Sequence, residues 1–502
     1  MNEETNKQEL TLEQKGKKPS FFNAGEIIAI IFSVLLIAVL LIISIPAASE
    51  EEYTKEKPIA AGLVTEIYTQ PADPVNGKTI SRQDPFSTPY YLYYLEPSAT
   101  SEEVANVNNI FQFVVPKLHA LSDRHNYYGE GAIYPEGYFN EAIASVEIPS
   151  EAKIILRTDA ASNAIRQSKR INNLRVINES LNKGPVEVSY DLYHLLKISF
   201  DLTIKTNSAF SMFIGELSEW WNKQINVNST PYPALSDPIN NETSVEEITT
   251  LQSYIPLSEE EIRSTLKFSE QTIDEQTKYY VEFSSEHASE GDLSITLGGV
   301  AKGYANDVLK TILTRYELDK GYLFGGGSSI EILGPYFTAR ENFHLVIGSG
   351  AIGRENNHYD DDDAFEVIYS KAPYALSTSG GDQLGKNYYI SVGDDVYHRH
   401  HIINARTGEP SNFEHVDINI LSPNLSSATL DAYTTALMCM SIEEGKAFIE
   451  NVNASYSLEE GEVALRAVWL SQKRPKAPFM GYATKEYFDF LISFNGITLV
   501  KI

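Results

Sequence analysis

An uncharged run of 19 residues sets the first constraint on this chain. From Ile27 to Ile45 it reads Ile-Ile-Ala-Ile-Ile-Phe-Ser-Val-Leu-Leu-Ile-Ala-Val-Leu-Leu-Ile-Ile-Ser-Ile. As a helix it spans about 28 Å, close to the roughly 30 Å hydrocarbon core of a bilayer. Lys15, Lys17 and Lys18 precede it, and Glu50, Glu51 and Glu52 follow it. Excess positive charge stays inside, so the N-terminus is expected in the cytoplasm and everything after about residue 48 outside. A cleaved signal peptide has a shorter apolar stretch of about 7–15 residues; Ala47-Ala48-Ser49 leaves cleavage open as the alternative. The expected layout is a cytoplasmic tail (1–20), a transmembrane anchor (21–48), a stalk (49–84) carrying Pro58, Pro71 and Pro74, and one globular domain (85–502).

The formal net charge is -28. An acidic surface repels phosphate backbones, which argues against nucleic acid as a partner. The single cysteine, Cys439, cannot form an internal disulfide, so the fold must rest on its core. Between Met438 and Met440 it reads as a buried helix position rather than a catalytic thiol.

Aromatic content makes 90–94 a strand. Apolar residues at helical spacing (Val104, Val107, Ile110, Phe111, Val114, Val115, Leu118) make 101–121 a helix. A helix is expected over 194–221, and a long polar surface loop over 225–260. From about 278, strands and glycine turns alternate with helices: strands at 279–283, 321–325, 343–347, 364–369, 387–392 and 396–403, and a helix at 302–316. Gly393-Asp394-Asp395 signals a hairpin turn. Asp360 to Asp363 lacks the interleaved glycine of a calcium loop and reads as a solvated loop.

Four segments carry chemistry. Leu297-Gly298-Gly299-Val300-Ala301-Lys302-Gly303-Tyr304-Ala305 sets a glycine pair before a helix with a lysine in its first turn, an arrangement that can cradle phosphate. Its spacing is neither that of a Walker loop nor that of a dinucleotide fingerprint. Gly325-Gly326-Gly327-Ser328-Ser329 follows a strand, and Ser377-Thr378-Ser379-Gly380-Gly381 is rich in hydroxyls and small residues. The fourth is His401-Ile402-Ile403-Asn404-Ala405-Arg406-Thr407-Gly408 with Leu430-Asp431-Ala432-Tyr433-Thr434-Thr435-Ala436, a helix starting near Ser426 or Ser427. Asp431 and Thr435 stand at i and i+4 on one face, two hard oxygen donors of the kind Mg²⁺ takes.

In chain order these segments resemble the FAD:protein FMN transferase family, the ApbE-like proteins. That pattern runs roughly L-G-G-I-A-K-G-Y-A, a glycine pair after a strand, T-S-G, H-I-I-D-P-R-T-G and A-D-A-x-A-T-A. Phe86-Ser87-Thr88-Pro89-Tyr90 resembles its opening F-G-T-x-Y, and Ser208-Ala209-Phe210 sits where it has G-x-F-D. The alternation of strands and helices from 278 onward, with this resemblance, implies an α+β fold, a mixed sheet with flanking helices around a flavin cleft, preceded by the transmembrane helix expected from the apolar run. The resemblance implies cleavage of FAD at its pyrophosphate and transfer of FMN to a Ser or Thr hydroxyl of a target protein. Mg²⁺ would be held by Asp431, Thr435 and the carbonyl of Ala301. Gly298, Gly299, Lys302, Gly326, Gly327, Thr378, Ser379 and Gly380 would bind FAD, while Arg406 would brace its loop or meet phosphate. His401 would take the hydroxyl proton, with His398 and His400 as competitors.

The chain departs from the pattern at Thr296, Asn404, Ala405, Leu430 and Ser211. These changes leave an FAD pyrophosphatase or a non-enzymatic flavin-binding surface protein as alternatives. The acceptor is expected to be a second, extracytoplasmic flavoprotein, membrane-associated like the enzyme. No family-type acceptor segment (Asp, two residues, Ser/Thr-Gly-Ala-Ser/Thr) occurs in this chain.

Overall fold

The computed structural model describes residues 64–68, 72–75, 79–82, 86, 90–95, 100–128, 171–228, 237–273, 275–326, 328–333, 343–347, 365–369, 375–381, 387–392, 395–413, 415–456, 464–471, 480–488, 491–494 and 498–502. The expected tail, the anchor, Gly327 and the Asp360 to Asp363 run lie outside these residues. Among the described residues no helix is long and apolar enough to cross a membrane.

The main sheet is built from β1 (Val64–Tyr68), β2 (Tyr90–Leu95), β3 (Gly321–Gly325), β4 (Ser329–Leu333), β5 (Ala375–Gly380), β6 (His415–Ser422), β7 (Arg466–Ser471), β8 (Met480–Ala483) and β9 (Thr498–Lys501). The strands lie in the sheet in the order in which they occur in the chain. All neighbours are antiparallel except β8 and β9, so the sheet is mixed, as expected. All eight residues of β6 are buried, which marks a central strand covered on both faces. The β1–β2 pairing carries the sheet into the segment expected to be a stalk, so it begins before Phe86.

The helices are α1 (Ser101–Ser122), α2 (Tyr190–Lys205), α3 (Gly215–Asn228), α4 (Glu242–Ser253), α5 (Ala301–Arg315), α6 (Ser427–Met438) and α7 (Ile442–Ala454), with shorter ones between. Helix α1 starts in a capping box, Thr100 with Glu103, and buries Val107, Phe111, Val115 and Leu118. Helices α5 and α6 pack on each other, α5 over β4 and α6 over β5 and β6.

Two expectations need correction. Residues 194–221 form two helices rather than one. The chain leaves α2 through Asn207 and Ser208, both in the left-handed region, and re-enters at Gly215, where any side chain would strike Ser294. Apolar periodicity carries across such a break because both helices bury their faces in the same core. The second concerns 225–260, expected as a loop. It contains α4 and a 3-10 turn at Pro238–Asn240, and a further helix, Glu259–Thr265, begins at its end. The polar residues that suggested a loop are caps: Asp237, Asn241 and Ser258 each accept a hydrogen bond from a helical N–H.

The hairpin expected at Gly393 is present: Asn387–Val392 pairs with Asp395–His400, with Val392 facing Asp395. Asp237 docks the α4 segment onto it through an ion pair with Arg399, at 2.9 Å with both side chains fully buried.

Candidate active site

Helix α5 starts without a side-chain cap of its own, since Val300 occupies that position. The free N–H of Gly303 is instead bound by Oδ2 of Asp431, 2.7 Å away on α6. The service is returned: Asp307 on α5 accepts from the N–H groups of Ser427 and Ala428, at 2.8 and 3.0 Å, at the start of α6. Each helix thus caps the other, and each cap sets a carboxylate on a positive helix end. The crossing is possible because residue 303 is glycine. A Cβ there would lie 2.2 Å from the Ser427 carbonyl oxygen. The lysine segment and the Asp431 helix, 128 residues apart at this bond, are therefore in direct contact.

Gly299 closes the same corner. A side chain there would meet Thr435 Oγ1 at 3.0 Å and the Phe210 ring at 3.1 Å. At Gly298 it would meet only Thr296 Oγ1, at 3.8 Å, so that side of the turn is open to a ligand. Strand β5 supplies hydroxyls on alternating faces. Ser377 Oγ donates to Asp431 Oδ1 at 2.8 Å, and Ser379 Oγ donates to Thr434 Oγ1 at 2.9 Å. On the other face Thr378 Oγ1 accepts from Asn419 at 2.9 Å, and the Thr378 N–H donates to the Ser328 carbonyl at 2.7 Å. That last bond ties β5 to the glycine turn, where Gly326 has φ +64°.

Asp431 is 3% exposed. Burial pushes its carboxyl up, against the Lys302 charge and the hydrogen bonds from Ser377, Gly303 and Ser329 that pull it down. Thr435 lies one turn on along α6, its Oγ1 donating to the Asp431 carbonyl at 3.0 Å, and a carboxylate and a hydroxyl are oxygen donors of the kind Mg²⁺ takes. Among the described residues there is no group of three or more His, Cys, Asp or Glu able to hold a metal. A cation here would complete its shell with water and substrate oxygens, as Mg²⁺ commonly does.

Burial also raises the half-buried Asp307, to about 7, with the Glu331 and Asp431 charges adding to it and the α6 N–H donors opposing it. A carboxyl whose folded pKa exceeds its unfolded value favours folding below the unfolded pKa near 3.8 and loses that contribution as pH rises through about 7. The wild type should therefore lose stability relative to Asp307→Asn between pH 4 and pH 7. Paired urea titrations across that range measure the difference, and a constant gap between the two proteins would contradict the assignment.

Three histidines competed for one role, and their surroundings separate them. His398 and His400 are buried, and burial lowers His398 to about 3 and His400 well below its ordinary value. His400 Nδ1 accepts the Ile402 N–H at 3.2 Å. Both are enclosed neutral rings, pressed against Gly381 at the end of β5. His401 is the half-exposed member. Ser379 of β5 therefore touches α6, and Gly381, one residue beyond β5, lies against His398 and His400 of the hairpin.

Of the two roles expected for Arg406, its contacts are those of a brace: Glu444 at 2.7 Å and the Cys439 carbonyl. Cys439 is buried and its thiol is pushed up to about 12, so it is inert. The departures from the family pattern keep local roles. Asn404 Oδ1 accepts the Arg406 N–H at 3.0 Å, an Asx turn that an aspartate would make equally. Ser211 Oγ accepts the Phe213 N–H at 3.2 Å, and the Thr296 N–H donates to the Met212 carbonyl at 2.8 Å. Ser377 and Ser329 lie within segments expected to carry chemistry but have no individual role in that expectation, and Asn306 and Tyr90 have none either; Ser377 bonds Asp431, Asn306 bonds Ser329 and Tyr90 bonds Asn306. Asn306 and Tyr90 lie beside or within quoted motifs, but an isolated polar residue carries no sign of burial.

The ApbE family model matches residues 138–457, more than half of the chain, and the chain belongs to that family. It is 23% identical over 296 residues to an FAD:protein FMN transferase of Klebsiella pneumoniae (strain 342), covering 58% of this chain and 76% of the relative. It is 21% identical over 323 residues to the Escherichia coli (strain K12) protein of that name, covering 64% and 79%. The solved flavin transferase ApbE of Vibrio cholerae shares the fold, with a TM-score of 0.50 and 16% identity over 86% of this chain and 100% of that one. The ApbE protein of Thermotoga maritima does likewise, with a TM-score of 0.50 and 17% identity over 85% and 100%.

Proposed function

We propose that this chain is a Mg²⁺-dependent FAD:protein FMN transferase. The observation that carries the reading is the bond from Gly303 N–H to Asp431, which joins the glycine-lysine turn to the proposed metal carboxylate. In this reading Asp431, Thr435 and the Ala301 carbonyl hold Mg²⁺. Bound there, the ion would neutralise the pyrophosphate and orient it for in-line attack. Lys302 and the open turn at Gly298 cradle phosphate, with Gly299, Gly326, Gly327, Thr378, Ser379 and Gly380 lining the rest of the FAD site. His401 takes the proton of the acceptor Ser or Thr hydroxyl. The hydroxyl oxygen bonds to the phosphorus of the FMN half, the bond from that phosphorus to the bridging oxygen breaks, and AMP leaves.

Incubation with FAD, Mg²⁺ and an acceptor peptide tests this. Covalent flavin with one AMP per transfer supports it. Free FMN with AMP would make the chain a pyrophosphatase, and neither product would leave a flavin-binding protein. His401→Ala should lower the transfer rate by about 10²–10⁴-fold while FAD binding, followed by flavin fluorescence, stays close to wild type. A rate within twofold of wild type would remove His401 from the mechanism.

The apolar run at 27–45 and the lysines before it support an anchored enzyme acting outside the cytoplasm. Its acceptor would then be an extracytoplasmic flavoprotein, membrane-associated because co-tethering raises effective concentration. Protease added to intact cells should digest the large domain; full protection would reverse the orientation.

A further inference from the structure

We propose that Tyr90, Asn306 and Ser329 form a one-way chain of hydrogen bonds that orients Asp431 and leaves one carboxylate lone pair for a metal ion. The inference rests on the metal reading above and extends it to residues that touch neither the metal nor the substrate. Tyr90, Asn306 and Ser329 are each 0% exposed, so no water can substitute for a missing partner. The Tyr90 hydroxyl donates to Asn306 Oδ1, with a longer contact to the Lys302 carbonyl at 3.4 Å. That bond takes the amide oxygen of Asn306. The amide nitrogen therefore points at Ser329 and donates to its Oγ at 3.1 Å. Ser329 stands directly opposite Ser377 in the β4–β5 pairing, and Ser377 Oγ is bonded to Asp431 Oδ1 at 2.8 Å, so the proton of the Ser329 hydroxyl has the Asp431 carboxylate beside it as an acceptor.

Asp431 receives Gly303 N–H on Oδ2 and Ser377 O–H on Oδ1, and the chain assigns it the Ser329 O–H as a third donor. A carboxylate offers about four lone-pair sites. With three of them taken by fixed partners, the remaining site would offer a cation one set direction. The three residues come from β2, α5 and β4, so the chain also locks together the elements that form the corner. Tyr90, Asn306 and Ser329 are positioning residues.

Asn306→Asp separates this role from its rivals. The change is nearly isosteric and keeps the acceptor for Tyr90, but it removes the donor to Ser329 and offers the Ser329 hydroxyl a competing carboxylate. Added negative charge alone would tighten a nearby cation; loss of orientation weakens it. The probe is Mn²⁺ without FAD, its binding to the full-length protein in detergent followed by the free-ion EPR signal. Outer-shell partners of metal ligands commonly contribute about 10–100-fold in affinity, so Asn306→Asp and Ser329→Ala should each weaken Mn²⁺ by about 10-fold or more. The double variant should be no weaker than Ser329→Ala, because Asn306 acts through Ser329. Asn453→Ala removes two hydrogen bonds to Leu465 elsewhere and controls for general loss of stability; it should bind Mn²⁺ as the wild type does. If Asn306→Asp does not fold, Ser329→Ala decides. Unchanged or tighter Mn²⁺ binding in folded variants, with binding lost in Asp431→Ala, would overturn the orienting chain alone. Wild-type Mn²⁺ affinity in Asp431→Asn would remove the metal site itself, and this inference with it.

Discussion

Asp431→Ala should abolish transfer and also weaken the fold. Read from the sequence, Asp431 is a cleft carboxylate whose removal changes stability by no more than about 0.5 kcal/mol, as for an ordinary surface site. The structure corrects that expectation, because Asp431 is buried and caps α5 from outside. Truncation leaves Gly303 N–H and Ser377 O–H without their acceptor, at about 1–3 kcal/mol for each buried donor left unsatisfied. Relief of the buried charge offsets part of this, since burial already pushes the carboxyl up. A net loss of about 1–3 kcal/mol, read from urea unfolding, is expected. Asp431→Asn separates the two roles. Its amide oxygen can still accept from Gly303, and the Ser377 hydroxyl can turn to accept from the amide nitrogen. Stability should stay near wild type while transfer falls at least about a hundredfold, the equivalent of roughly 3 kcal/mol of charge stabilisation. Mg²⁺-dependent activity at wild-type level in Asp431→Asn would defeat the assignment.

Much of this corner was legible because its parts are contiguous in sequence. The turn before α5 and the helix after Ser426 each carry a local pattern: glycine for close approach, a lysine in the first turn, a serine cap. The hairpin at 387–400 and the helix at 301–315 were legible from turn chemistry and apolar period. What the sequence hid is non-local. Nothing in Ser377 or Asn306 distinguishes a buried donor from a solvated one until β5 and α5 are brought against Asp431. The helix at 242–253 was hidden for a different reason: cap residues and loop residues are the same amino acids. Likewise Asp237 looked like loop polarity, yet it is the buried partner of Arg399.

The bare backbone at Gly303 should matter as much as any side chain in the site. Its missing Cβ faces backbone, not a flexible side chain: the Ser427 carbonyl oxygen at 2.2 Å, its carbon at 2.3 Å and Ala428 N at 2.6 Å. No rotamer change relieves such a contact, so Gly303→Ala must push α5 and α6 apart. Alanine's better helix propensity returns only about 1 kcal/mol, while overpacking of this kind costs about 1–3 kcal/mol, occasionally more. The displacement acts where the Gly303 N–H meets Asp431 and where Asp307 meets the start of α6, so both mutual caps stretch together. Gly303→Ala should therefore lower the urea midpoint and lose transfer even at temperatures where the protein is folded. Gly298→Ala provides the contrast, because its added methyl meets only Thr296 Oγ1 at 3.8 Å. Its stability should stay within about 0.5 kcal/mol of wild type, and its defect should be a raised KM for FAD, since the methyl blocks the open side of the turn rather than the helix crossing. Wild-type stability in Gly303→Ala would mean that the two helices are not in backbone contact, and the mutual-capping account of the site would fall with it.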